Sequence, residues 1–203
     1  MTPRLLPSGP RAWLVELTPT DVVGFAGAVR RRADPTVVDV VPAARTVLVE
    51  VADRDSLGRV GEWLRTVAPD GMPDAGSMPT VEIAVRYDGE DLADVAAACG
   101  MSTHEVAERH TAPTYQCAFC GFAPGFAYLT GLDPALHLPR RPTPRTRVPA
   151  GSVAIAAEYS AVYPSVSPGG WHLVGHTDAA MWDTTRDDPA LVRPGTLVRF
   201  VVA

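Results

Sequence analysis

From Thr114 to the C-terminus no apolar pattern keeps the 3.6-residue period of a helix, and short apolar segments are cut apart by proline and glycine instead. That texture points to a barrel or a sandwich of short strands. The strand segments are Tyr115 to Cys120, Ser152 to Ala157, Ala161 to Tyr163, Trp171 to His176 and Thr196 to Val202. Upstream the periods alternate. Ala12 to Leu17 is a short apolar run, and Thr18-Pro19-Thr20-Asp21 reads as a helix start, with Thr18 as N-cap, Pro19 in the first turn and the helix running to Arg32. Thr36 to Val41 and Arg45 to Val51 read as strands, Leu57, Val60, Leu64 and Val67 recur at helical spacing, and Thr80 to Val85 resumes as a strand after the Pro- and Gly-rich stretch Ala68 to Pro79. The order β-α-β-β-α-β is that of a ferredoxin-like split unit. Two helices then follow. Asp91 to Cys99 ends at Gly100, and Ser102-Thr103-His104-Glu105 is a capping box that starts a helix ending near His110. The expected architecture is α+β, a small ferredoxin-like domain over 1–86 followed by a β-barrel domain over 87–203.

Composition narrows the chemistry. The 203 residues carry 18 basic and 23 acidic side chains, a net charge of −5; there is no lysine and no asparagine, and Gln116 is the only glutamine. Schiff-base, P-loop and biotinyl lysines are therefore excluded within this chain, and any bound anion must be held by arginine forks, helix N-termini or backbone N–H groups. The acidic balance argues against a nucleic-acid surface. No stretch approaches the ~20 apolar residues of a membrane span and the N-terminus has no signal-peptide core, so a cytoplasmic protein is expected. Three cysteines suit a reducing compartment. Cys117 and Cys120 form a C-x-x-C, but in a strand the two point to opposite faces, which reads as structural.

Three segments can carry chemistry. Gly121-Phe122-Ala123-Pro124-Gly125-Phe126-Ala127-Tyr128-Leu129 combines backbone freedom at two glycines with the rigidity of Pro124 and three aromatics. It reads either as a loop presenting N–H groups to an anion or as a tight corner packing its rings. Pro139-Arg140-Arg141-Pro142-Thr143-Pro144-Arg145-Thr146-Arg147-Val148-Pro149 sets four arginines among four prolines. Proline holds the segment extended and lowers the entropy lost on ordering, which suits carboxylate or phosphate binding. Arginines paired to acidic residues of the N-terminal domain or of a partner are the other reading. Tyr163-Pro164-Ser165-Val166-Ser167-Pro168-Gly169-Gly170-Trp171 is a second rigid turn, either lining the same pocket or joining a hairpin. His172 and His176 are spaced as a metal pair only on a helix; in a strand they lie about 13 Å apart and cannot share a zinc, so no metal site is expected. His110 reads as a general base or as a satisfied helix-end histidine.

Taken in order, G-F-x-P-G-F-x-Y-L, P-R-R-x-T-P-R-x-R-V-P-A-G-S-V and Y-P-x-x-S-P-G-G-W-x-L-x-G-x-T resemble the family that contains the B-type subunit of bacterial 5-oxoprolinase, subunit 1 of allophanate hydrolase, the C and D subdomains of urea carboxylase and Kip-type inhibitors of histidine kinases. The resemblance implies a cyclophilin-like barrel and ATP-dependent opening of the 5-oxoproline lactam to glutamate. It also implies a barrel-containing C-type partner, a separate A-type partner, and Mg²⁺ accompanying ATP. The positions it marks as catalytic are His110, Arg145 and Arg147. Those it marks for substrate or anion binding are Gly121, Phe122, Pro124, Gly125, Phe126, Arg140, Arg141, Ser152, Tyr163, Ser167, Gly169 and Gly170, with Trp171 beside them. In the expected mechanism the arginines and glycine turns stabilise a transferring phosphoryl group and His110 moves a proton, so Arg145→Ala should lower turnover by about tenfold or more. The allophanate or urea branch and a non-catalytic, kinase-binding Kip protein are the alternatives. Two departures stand out. Ala157-Glu158-Tyr159-Ser160-Ala161 replaces a G-G-x-T-G frequent in relatives, which closes positive φ and alters the expected pocket, and His172 and His176 stand where relatives commonly have uncharged and arginine side chains.

Overall fold

The structure is a computed structural model and describes residues 3–69 and 80–203. It divides into two compact units, Met1–Met78 and Pro79–Ala203.

In the first unit β1 (Arg4–Pro7), β2 (Ala12–Glu16), β3 (Val37–Pro42) and β4 (Thr46–Val51) form an antiparallel sheet in the order β1-β2-β4-β3. Helices α1 (Val22–Arg31) and α2 (Asp55–Leu64) bury Phe25, Val29, Val60 and Leu64 against Val47, Val49 and Val51, the alternate inward residues of β4. Gly61 lets α2 approach the Trp13 ring, whose indole N–H donates to the Leu57 carbonyl at 2.8 Å. Pro19–Asp21 is a 3₁₀ turn and the α-helix begins only at Val22; the Thr18 side chain caps nothing and lies 3.0 Å from the Thr20 hydroxyl.

Two expectations are corrected here. Arg4–Pro7 forms a strand that the apolar pattern did not predict, and it pairs with β2 at the sheet edge. Thr80–Val85 (β5), expected to complete the ferredoxin-like unit, instead runs parallel to the C-terminal strand in the second unit. Its six residues register with Leu197–Val202, so the division falls near 78 and not at 86. Of the linker expected over Ala68 to Pro79, residues 70–79 lie outside the described ones.

The second unit begins with β5, followed by α3 (Leu92–Cys99) and α4 (Thr103–Thr111). Gly100 takes φ +68° to end α3, and Ser102 and Glu105 make the reciprocal capping box before α4. Then come β6 (Tyr115–Cys120), β7 (Ala127–Thr130), β8 (Arg145–Val148), β9 (Ser152–Ala156), β10 (Tyr159–Val162), β11 (Ser167–Gly169), β12 (His172–His176) and β13 (Leu197–Val202). Seven of the unit's strands form one sheet, β12-β9-β10-β7-β6-β13-β5. Its two edges meet where Arg86 and His176 exchange backbone hydrogen bonds of 2.8 Å each way, nearly closing a barrel. Strands β8 and β11 pair separately. No helix among the described residues is long and apolar enough to cross a membrane.

Strand β9 is buried on both faces, which explains its unbroken apolar run. Val153 and Ile155 join the barrel interior with Tyr115, Leu129 and Phe200, while Ala154 and Ala156 join Ala161 in a second cluster with Phe126, Tyr163 and Trp171. The alanines leave room for large rings on that second face.

The expectation for Cys117 and Cys120 is also corrected. Cys117 pairs with Leu129 and Phe119 with Tyr128, so Ala118 is an extra residue and β6 carries a bulge. The bulge turns both sulfurs to one side, 3.8 Å apart.

Candidate functional site

The loop from β6 to β7 is a corner held by three backbone hydrogen bonds, from Gly121 N to Phe126 O (3.2 Å), Ala123 N to Gly121 O (2.9 Å) and Phe126 N to Ala123 O (2.9 Å). Gly125 has φ +83°, and a Cβ there would come within 2.9 Å of the Trp182 Cβ, so both backbone and space demand glycine. Phe122 holds φ +70° although it has a side chain, and its ring is 60% exposed. A strained, exposed aromatic of this kind marks a site where the surroundings over-determine the backbone.

Phe126 is buried below it and meets Tyr128, Tyr163 and Trp171 edge-on, with centroids 5.1, 5.2 and 5.5 Å away. The Tyr163 hydroxyl accepts the Trp171 backbone N–H. A Cβ on Gly169 would overlap that hydroxyl, so β11 can press against the ring only as glycine. Burial raises the Tyr163 pKa, against the pull of nearby Arg140. Phe122, Phe126, Tyr128, Tyr163, Gly169, Gly170, Trp171 and Arg140 together line one cleft of about 90 Å³. All three sequence segments thus converge. The corner, the proline-rich segment and the Gly-Gly turn meet although they lie up to fifty residues apart.

The arginines divide sharply. Asp91, 1% exposed, sits immediately before α3 and accepts two hydrogen bonds from Arg145 (2.9 and 2.7 Å), one from Arg141 and one from the Leu173 N–H (2.8 Å). Burial pushes the Asp91 pKa up, but the Arg145 and Leu173 hydrogen bonds and the two guanidinium charges outweigh it and hold the carboxyl below its ordinary value. Arg145 also reaches Glu90 at 3.2 Å. Arg141 and Arg145 are therefore engaged by an internal carboxylate, and neither lines the cleft, although the resemblance marks them for anion binding and catalysis. Arg147 is exposed on β8 and does not line the cleft. Among the described residues Arg140 has no carboxylate partner, and it alone of the four guanidinium groups faces the cleft. The Arg141 N–H donates to the Gly170 carbonyl at 2.8 Å, tying the segment that carries Arg140 to the Gly-Gly turn.

His110 matches the second of its two readings, a satisfied helix-end histidine. It is fully buried in the barrel interior, its ring tilted against Phe200 with centroids 4.6 Å apart, with Nδ1 2.7 Å from the Tyr87 hydroxyl and Nε2 2.8 Å from the Ser160 hydroxyl. Burial lowers its pKa to about 3. A neutral, enclosed imidazole with both nitrogens engaged is a core residue and does not reach the cleft. Ser152 and Ser167 do not line the cleft either. Ser152 supports it through its carbonyl, which accepts the Tyr163 N–H at 2.9 Å, and the Ser167 hydroxyl is buried without a partner. Gly121 and Pro124 shape the corner behind Phe122 without lining the cavity. His172 and His176 lie on a strand, with His172 Nε2 donating to the Pro139 carbonyl at 2.9 Å and His176 3.4 Å from Asp178. Ala157 takes φ +49° in the β9–β10 turn, so alanine there does not close positive φ as expected; the strain is absorbed by a turn whose N–H donates to Leu138 O at 2.7 Å.

Asp91 escapes notice in the sequence because it reads there only as an acid near a helix start. Nothing local tells which arginine, fifty residues on, it will claim. ATP and Mg²⁺ do not fit this cleft: at about 90 Å³ it lies well below the ~300–1,000 Å³ of whole-ligand sites, and two of its neighbouring arginines are engaged by Asp91.

Comparison with known proteins agrees with the convergence of motifs. The chain is 39% identical over 209 residues to the B-type subunit of 5-oxoprolinase from Escherichia coli O157:H7, covering 95% of this chain and 93% of that protein. It superposes on the crystal structure of TTHA0988 with a TM-score of 0.82 and 39% identity, covering 95% of this chain but only 40% of that longer polypeptide. The Kluyveromyces lactis urea amidolyase shares the fold, with a TM-score of 0.75 at 18% identity, over 99% of this chain and 15% of that one. A family model described as the carboxyltransferase domain, subdomain C and D, matches residues 3–192, and the chain belongs to that family.

Proposed function

We propose that this chain is the B-type component of a 5-oxoprolinase, working in the cytoplasm with a C-type and an A-type partner to open a cyclic amide to an amino acid. The observation that carries this reading is the cleft. It joins aromatic walls, which suit the faces of a small ring, to one uncommitted guanidinium, which suits the carboxylate of 5-oxoproline. At about 90 Å³ the cavity lies well below the ~300–1,000 Å³ usual for whole-ligand sites, so a partner would complete it. This chain's part is to bind and orient the acid. ATP and Mg²⁺ belong to the reaction in this reading and are assigned to a partner, because this cleft does not fit them. The cyclophilin-like label for the barrel belongs to the same reading and is supported by the seven-strand, nearly closed sheet.

The test is ADP release and glutamate formation from 5-oxoproline by the reconstituted complex, with allophanate and urea assayed in parallel. Turnover of 5-oxoproline that depends on Arg140 is the expected result. Turnover of urea or allophanate alone would assign the chain to that branch. Silence towards all three, combined with inhibition of a histidine kinase, would assign it to the Kip type.

A further inference from the structure

The bulge in β6 has a chemical consequence separate from the cleft's ligand. Residues three apart on a regular strand face opposite ways, yet Ala118 is looped out and Cys117 and Cys120 both pack towards the barrel interior, their sulfurs 3.8 Å apart. Phe119, between them, faces the other side and stacks on Tyr128 at 4.2 Å. Cys117 is fully buried and Cys120 only partly, so Cys120 is the more accessible of the two. Cys120 pairs with Ala127 and immediately precedes Gly121, the first residue of the cleft corner. Tyr128, on which Phe119 stacks, lines the cleft itself.

We propose that Cys117 and Cys120 are a reversible dithiol–disulfide couple, oxidised by a small disulfide such as oxidised glutathione, whose state is transmitted to the Gly121–Phe126 corner. The attacking group is Cys120. Cys120 is the less buried of the two, as a first nucleophile requires, and Cys117 lies within 3.8 Å to resolve the mixed disulfide. The Cys120 thiolate attacks one sulfur of the glutathione disulfide, forming a mixed disulfide and expelling one glutathione thiolate. Cys117 then gives up its proton, attacks Cys120 Sγ and expels the second glutathione. Two thiols are oxidised, one disulfide is reduced to two thiols, and the protons pass to the departing glutathiones. A disulfide needs its sulfurs at about 2.0 Å, so the pair must close by nearly half its present separation. Movement of Cys120 is passed directly to Gly121, whose N–H is bonded to Phe126 O, and movement of the bulge is passed through Phe119 to Tyr128.

The experiment treats the reduced, folded full chain with oxidised glutathione and reads intact mass, disulfide mapping and amide exchange. The expected product has lost the mass of two hydrogens, carries a Cys117–Cys120 link, recovers its mass on reduction, and shows altered exchange at Gly121–Phe126. Cys99→Ser should react as the wild type does, because Cys99 lies apart on α3. Cys117→Ala should stop at a stable glutathione adduct on Cys120. Thiols that stay free in the folded protein, a link through Cys99, or a disulfide that leaves exchange at the corner unchanged would each overturn the proposal. Should the Cys117 variant fail to fold, the wild-type mass and mapping decide alone. None of these readouts depends on turnover, so the proposed activity can fail without touching this inference.

Discussion

Arg145 grips both oxygens of Asp91, at 2.9 and 2.7 Å, while Arg141 donates a further hydrogen bond to the same carboxylate. One buried acid before a helix thus anchors the proline-rich segment at two points and leaves Arg140, beside them in sequence, facing the cleft.

Removing that acid should therefore cost stability first. Asp91→Ala leaves Arg141 without its carboxylate and Arg145 with only the exposed Glu90, a loss of about 3 kcal/mol by analogy with broken buried pairs, measurable by urea unfolding. The folded-state pKa of Asp91 is depressed, so its contribution is fully present above the ordinary carboxylate range and is lost as pH falls through the folded value. The difference between wild type and Asp91→Ala should accordingly shrink on acidification below about pH 4.

Arg140→Ala should act on binding and leave the fold intact. Losing a charge-assisted hydrogen bond of about 1.5–3 kcal/mol raises KM, or the Kd for 5-oxoproline, by roughly 10- to 100-fold, with the urea midpoint unchanged. Equal KM in the variant would show that the acid's carboxylate is held elsewhere.

His110 sets a separate pH dependence. Its pKa is 6.5 as a free side chain and about 3 in the fold, so the unfolded chain binds the extra proton first. Its contribution is fully present above pH 6.5 and is lost as pH falls towards 3, at up to about 1.4 kcal/mol per pH unit. His110→Gln should flatten that slope in acid-titrated unfolding curves, although its stability at neutral pH is lower.

Of the three non-glycine residues with positive φ among the described residues, Ala157 and Phe122 should part company when changed to glycine. Ala157→Gly relieves a turn strained by about 1 kcal/mol and should raise the thermal midpoint with no effect on ligand. Phe122→Gly relieves the same kind of strain but removes the exposed ring over Phe126 and Tyr163, so it should weaken ligand binding.

Gly169→Ala tests the packing of the cleft wall. The new methyl collides with the Tyr163 hydroxyl, so β11 or the ring must move and binding at the cleft should fall. Tyr163→Phe in the same chain removes the oxygen from the collision and should restore part of it. Binding that survives Gly169→Ala unchanged would show that the wall is not part of the site.

Whatever short spacing encodes could be read from the residues alone: the capping box at Ser102 and Glu105, the helix stop at Gly100, the limits of β5, the loss of helical period after Thr114, and the residue types that would crowd one cleft. Which of those residues are free to act was settled by folding. Asp91 lies fifty and fifty-four residues from the two arginines it neutralises, the interior that silences His110 is built by strands on both sides of it, and the bulge that joins Cys117 to Cys120 exists only in register with β7. Likewise Thr80–Val85 was legible as a strand, but its partner at the far end of the chain was not. Local pattern sets the period and the caps because those depend on neighbours within a few residues. Charge pairing, burial and register depend on groups brought together by folding, and no window of sequence contains both partners.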